Sequence, residues 1–155
     1  MENDVSPRFA KSGDFEFVYS GRKEIAELEA FAIPNVEDDK KRLLEAIDAE
    51  RVLLAVRGNS AVGFIWFVVS DTTPFGVDYG AFGSKYAWVD YVFVAKAERE
   101  KGVGAFLYEE LAKWCADNGI AEILCDVYES NPQSMAFHEK LGFRPFLRIY
   151  SRKTA

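Results

Sequence analysis

The period of the apolar pattern changes several times along this chain, and each change marks an element. Arg51-Val-Leu-Leu-Ala-Val-Arg57 is an apolar run of strand length, and a second lies near Ala61–Ser70. The Gly58-Asn59 turn signal between them predicts a β-hairpin. Upstream, Val36–Glu50 places Leu43, Leu44 and Ile47 on one helical face with charges opposite, which predicts an amphipathic helix. The N-terminal stretch admits two readings. Phe15, Phe17 and Tyr19 alternate like a strand, whereas Phe15, Val18, Arg22, Ile25 and Leu28 fit a helix capped by Asp14. A helix from Asp14 to Ala30 after a short strand near Arg8–Lys11 is the favoured reading, with Gly21 counting against it.

In the second half, Ala87–Val94 reads as a strand by composition. Val103, Phe106, Leu107, Leu111, Trp114 and Cys115 then recur at helical spacing over Gly102–Asn118, and Asn118-Gly119 closes that helix. Ala121–Val127 is another strand. Asn131 and Pro132 have the cap and first-turn preferences of a short helix, which Leu141-Gly142 ends. Phe143–Ser151 is predicted as a final strand. The order strand, helix, strand, helix, strand implies a right-handed crossover between parallel strands, and the hairpin half is antiparallel. A mixed α/β sheet with helices on both faces follows. The Asp71–Tyr86 connection is long for a hairpin, a length that often carries function.

Composition narrows the class. A chain of 155 residues, 49% apolar, is the size of one ordinary domain, here 1–155, and folds without disulfides or metal. No apolar run approaches the roughly 18 residues of a membrane helix. The acidic Met1-Glu-Asn-Asp start lacks the basic and apolar regions of a signal peptide, so a cytoplasmic protein with no membrane partner is expected. The net charge of −6 argues against nucleic acid as a partner. One histidine and two cysteines, Cys115 and Cys125, lack metal-ligand spacing, so no metal is expected. Both thiols are expected to behave as small buried apolar groups.

The candidate chemistry lies in Val94-Ala-Lys-Ala-Glu-Arg-Glu-Lys-Gly-Val-Gly104. A strand ends, a polar turn follows, and a helix begins at two glycines. Free helix-start amides, the helix dipole, and the charges of Arg99 and Lys101 together suit a pyrophosphate. The run is not a Walker loop, since no Gly-Lys-Ser/Thr follows. A dinucleotide fold stays open because Asp126 lies at about the required distance, but such folds usually begin with their glycines.

Arg99-Glu-Lys-Gly-Val-Gly104 resembles the Arg/Gln-x-x-Gly-x-Gly/Ala loop of the Gcn5-related N-acetyltransferase (GNAT) family. Asn131-Pro-Gln-Ser-Met-Ala-Phe-His-Glu-Lys-Leu-Gly-Phe143 is similar to that family's second signature. The resemblance covers about Val89–Phe143, and the 51–70 hairpin fits the family's order of elements. It implies the GNAT fold, a mostly antiparallel sheet of roughly six or seven strands flanked by helices. It also implies acetyl transfer from acetyl-coenzyme A (acetyl-CoA) to a primary amine in a ternary complex, and it suggests a homodimer. The backbone of Val92, Phe93 and Val94 would pair with the pantetheine arm, where the strand splays or bulges. The amides of Arg99, Glu100, Lys101, Gly102, Val103, Gly104 and Ala105 would hold the pyrophosphate, and Asn131 would contact the cofactor arm as well as cap its helix.

The reaction needs a neutral amine, so a base must take a proton. Asp90 matches a position that is often acidic in the family, and in a regular strand it shares a face with Val92 and Val94. A salt-bridged strand carboxylate is the alternative. Asp126 is a second candidate, and some family members rely on ordered water. His138 stands where the family usually has a Tyr that donates to the leaving thiolate. It is either that acid or a packed helix residue, with Tyr128 and Tyr91 as reserve donors. Lys96 replaces a frequent Pro. Phe75, Tyr79, Phe82, Tyr86 and Trp88 either wall an acceptor pocket, with Asp71 and Asp78 attracting a cation, or form a small core under the long loop. A non-catalytic acyl-CoA-binding module is the rival function, and it would need neither base nor acid.

Overall fold

The structure is a computed structural model that describes residues 4–72, 85–145 and 147–154. Its elements are β1 (Val5–Phe9), α1 (Phe15–Leu28), α2 (Val36–Asp48), β2 (Val52–Arg57), β3 (Ser60–Ser70), β4 (Tyr86–Val94), α3 (Val103–Asp117), β5 (Glu122–Cys125) and α4 (Pro132–Lys140). Five strands pair in sequence order. The first three junctions are antiparallel, and β4 pairs parallel with β5 through the α3 crossover. This is the mixed sheet that the order of elements predicts.

The apolar runs of the hairpin are nearly continuous because both faces of the sheet are covered. Leu53, Ala55, Ile65 and Phe67 turn toward α3 and pack with Leu107 and Leu111. Val52, Leu54, Phe64 and Trp66 turn the other way, onto Val18 and Tyr19 of α1 and Leu43 and Ile47 of α2. Gly21 suits α1 for a packing reason. A Cβ there would lie 2.6 Å from the Phe64 ring and 2.8 Å from the Phe93 ring, so only glycine lets the helix lie this close to the sheet. Asn35 caps α2, its Oδ1 accepting from the Asp38 amide at 3.1 Å.

Three expectations are corrected. The first strand is Val5–Phe9 rather than Arg8–Lys11. Asp14 does not cap α1 with its side chain. It accepts instead from the Lys11 amide at 2.8 Å and from both Arg8 amino groups, at 2.7 and 2.8 Å, closing a short 3-10 turn before the helix. Phe143–Ser151 forms no strand among its described residues, so the described residues hold five strands rather than six or seven. Its apolar residues find no ladder among the described residues, and Leu147, Ile149 and Tyr150 stay exposed. Of the proposed aromatic wall, Phe75, Tyr79 and Phe82 lie outside the described residues, as does Asp78. Tyr86 and Trp88 are buried on β4 against Leu124.

Candidate active site

The site begins with an irregularity in β4. Trp66 of β3 pairs with Tyr91, but the next residue, Phe67, pairs with Val89, so Asp90 is an extra residue, a bulge. On its other edge β4 pairs with β5 only from Tyr86 to Val89. From Asp90 to Val94 it is laddered to β3 alone, and the two parallel strands part. The Ala95 amide donates to Val62 O of β3 at 2.9 Å. Counting back by twos, the Phe93 and Tyr91 amides share that side, and those of Val92 and Val94 point into the gap. Val94 O faces the gap too, where it accepts from Arg99 Nε at 3.0 Å.

The bulge changes which way Asp90 faces. Val89, Val92 and Val94 pack on the α3 side, whereas Tyr91 and Phe93 pack on the α1–α2 side. A regular strand would put Asp90 with Val92 and Val94. The extra residue instead turns its carboxylate toward α2, with Oδ2 lying 4.0 Å from Arg42 Nη2.

Beyond the gap the chain turns into α3. Gly102, at φ 80°, stands at the helix N-cap in the left-handed region. Phe106 N–H is the first to bond within the helix, to Gly102 O at 3.0 Å. The amides of Val103, Gly104 and Ala105 precede it and have no intrahelical partner. They border a cleft of about 270 Å³ lined by Val94, Gly102, Val103, Gly104, Phe137 and Leu141. Gly104 has a second reason to be glycine, because a Cβ there would lie 2.9 Å from the Phe137 ring of α4. Arg99 and Lys101 of the turn are paired with acids. Arg99 Nη2 meets Glu24 of α1 at 2.5 Å, and Lys101 Nζ meets Glu98 at 3.6 Å. Glu98, Glu100 and Lys140 also line the cleft, so the free amides, the helix dipole and Lys140 attract an anion there against two carboxylates.

On the β5 side of the gap stands Asp126. Burial raises its pKa and, with the Asp126 charge as a second cause, that of Glu29; the same charge also pushes Asp90 up. Burial is the larger cause at Asp90, lifting the carboxyl to about 6, with Arg42 and Arg22 opposing. Phe31 stacks on Tyr128 at the rim, ring centroids 4.7 Å apart.

His138 is buried. Its Nδ1 lies 2.7 Å from Ser134 O, which can only accept, so Nδ1 carries the proton. Its Nε2 therefore accepts from Tyr108 Oη at 2.7 Å. Burial holds its pKa below the ordinary histidine value. Both nitrogens are engaged, and rings of Tyr108, Phe137 and Phe143 surround it. Asn131 caps α4, its Oδ1 accepting from the Ser134 amide at 3.1 Å.

A family model described as the acetyltransferase (GNAT) family matches residues 21–143. The chain belongs to the GNAT acetyltransferase family. No curated protein sequence matches it. Solved structures agree on the fold. The aminoglycoside N-acetyltransferase AAC(6')-Iy, in complex with a bisubstrate analogue of coenzyme A (CoA) and monomethyl-acetylneamine, is 22% identical with a TM-score of 0.75, covering 97% of this chain and 99% of its own. A possible acetyltransferase from Clostridium difficile 630 is 17% identical with a TM-score of 0.76, covering 97% and 98%. The aminoglycoside 6'-N-acetyltransferase AAC(6')-Ih from Acinetobacter baumannii is 19% identical with a TM-score of 0.74, covering 97% and 98%.

Within this GNAT fold, Asp90, Asp126, Val92 and Val94 border one gap, which leads to the Gly102–Ala105 amides. His138 and Asn131 serve α4. Sequence reasoning missed Glu29 at the end of α1, Arg22 and Arg42 beside Asp90, and Tyr108 as the partner of His138. Asp39 was the available signal: a carboxylate on the helical face one turn before Leu43, so on the buried side, requires a cation.

Proposed function

We propose that this GNAT protein transfers the acetyl group of acetyl-CoA to a primary amine by direct attack, with Asp90 as general base. The observation that carries the reading is the parting of β4 from β5 at Asp90, continuous with the free amides of α3. Acetyl-CoA supplies an activated acyl group when bound, and the residues present suit it. The Val92 and Val94 amides, exposed along one strand edge, would hold the amide-bearing pantetheine arm. The amides of Val103, Gly104 and Ala105, reached over Gly102, would hold the pyrophosphate.

An amine arrives protonated at neutral pH and needs to lose a proton before it can attack. Asp90, with a pKa of about 6, is ionised at pH 7 yet far closer to neutrality than an ordinary carboxylate, as a base requires. Asp126 and Glu29 add negative charge beside it, which favours a cationic acceptor. Cys125 does not serve as a nucleophile in this reading, because burial pushes its thiol up to about 11. Aminoglycoside N-acetyltransferases share the fold, which supports a primary amine as the acceptor.

The test is thiol release from acetyl-CoA across a panel of amines, alongside calorimetry with CoA. Uptake of CoA with amine-dependent thiol release supports the reading. Uptake without release on any amine favours the non-catalytic binding module, and no uptake overturns both.

A further inference from the structure

The mechanism above does not use the charges behind Asp90. They form a series of alternating sign across three elements. Arg22 Nε of α1 lies 3.4 Å from Asp39 Oδ2 of α2. Asp39 Oδ1 lies 4.0 Å from Arg42 Nη1, one turn on. Arg42 Nη2 lies 4.0 Å from Asp90 Oδ2. Each guanidinium also rests on an aromatic ring, Arg22 over Tyr91 at 4.3 Å and Arg42 over Trp66 at 5.8 Å. Trp66 and Tyr91 are the pair that flanks the bulge. Asp39 is buried, and its Oδ2, Arg22 Nε and Asp90 Oδ2 are buried without a hydrogen-bond partner. Burying such groups is costly, and a core of apolar side chains would serve stability at least as well. What the series supplies is a fixed positive charge beside the bulged carboxylate.

We propose that Arg42 is a positioning residue for the reaction: it fixes the orientation and the charge of the Asp90 carboxylate beside the gap, and Arg22 and Asp39 hold Arg42 in place. The proposal rests on the reading of Asp90 as base. Four groups face that carboxylate: Arg42 from α2, Arg22 from α1, Asp126 from beyond β5, and Tyr91 on its own strand. Removing Arg42 leaves the burial of Asp90 and the repulsion from Asp126 opposed only by Arg22, which is committed to Tyr91 and Asp39. Arg42 is half exposed, so Arg42→Gln is compatible with folding.

The experiment compares the pH dependence of kcat/KM for the parent, Arg42→Gln, Arg42→Lys and Asp90→Asn, together with a ¹³C NMR titration of the Asp90 carboxyl in the parent and Arg42→Gln. In Arg42→Gln the acidic limb and the NMR midpoint both move up by about one pH unit, a roughly tenfold loss of kcat/KM below the limb. Arg42→Lys keeps the charge without the planar fork that spans Asp39 and Asp90, and falls between the two. A limb and midpoint unmoved in Arg42→Gln, or a change confined to KM, overturns the role of Arg42. Should Asp90→Asn retain the limb, the base assignment fails instead, and the NMR midpoint still decides whether Arg42 governs Asp90.

Discussion

The two halves of β4 are built from similar residues and do opposite things. Tyr86–Val89 is laddered on both edges, to β3 and to β5, and its side chains are buried on both faces. Asp90–Val94 is laddered on one edge only. The first half is sheet interior, where every backbone group has a partner. The second keeps two amides and a carboxylate for a ligand, and a single extra residue at the boundary turns the carboxylate toward α2. On the proposed reading, the contrast teaches that the reactive half is the costly half: it keeps half-buried a carboxylate that stability alone would not choose.

The largest effect should come from removing that cost. Asp90→Asn lowers kcat by about 10²–10⁴-fold, measured by thiol release. The same change stabilises the fold at pH 8 by on the order of 2 kcal/mol, measured by denaturant unfolding. The sign follows from the carboxyl's rise from 3.8 to about 6 on folding. Between those values the folded state holds more protons, so stability falls as pH rises through the window and stays reduced above it. Asp90→Asn lacks that fall. A variant both inactive and destabilised at pH 8 would break the contrast.

Next in size is Gly104→Val. Its Cβ meets the Phe137 ring at 2.9 Å and its added methyls crowd the helix-start amides. CoA affinity by calorimetry should fall at least tenfold and stability by about 1–3 kcal/mol.

A smaller effect separates Asp90 from the buried histidine. His138→Gln should cost about 1–2 kcal/mol at pH 8 through the loss of its buried hydrogen bonds. Its folded pKa lies below the unfolded one, so its contribution is present above about 6.5 and is lost as pH falls through the folded value. The dependence of Tm on pH between 7 and 5 should flatten in this variant. The acidic limb of kcat/KM should remain, because it belongs to Asp90.

Much of this was legible in the sequence because it depends on local chemistry. The hairpin, the start of α3 and the cap of α4 are each set by a few adjacent residues whose backbone preferences agree. Two signatures at a fixed separation made the family readable. The bulge was not legible, because an extra residue shows only against the partner strand, and Asp90 alternates with its neighbours as a regular strand would. Arg22, Asp39 and Arg42 each look like ordinary helix charges until the helices are packed. Gly104 was read only as part of a pyrophosphate loop, and it is also room for Phe137. Phe143–Ser151 has strand composition, but composition alone supplies no ladder partner.

Amide hydrogen exchange along β4, with and without CoA, tests the open-edge claim most directly. Tyr91 and Phe93 amides, bonded to β3, should be protected in both conditions. Those of Val92 and Val94 should exchange freely in the unliganded protein and become protected when CoA is added. Val92 and Val94 already protected without ligand, or unchanged by saturating CoA, would contradict the account.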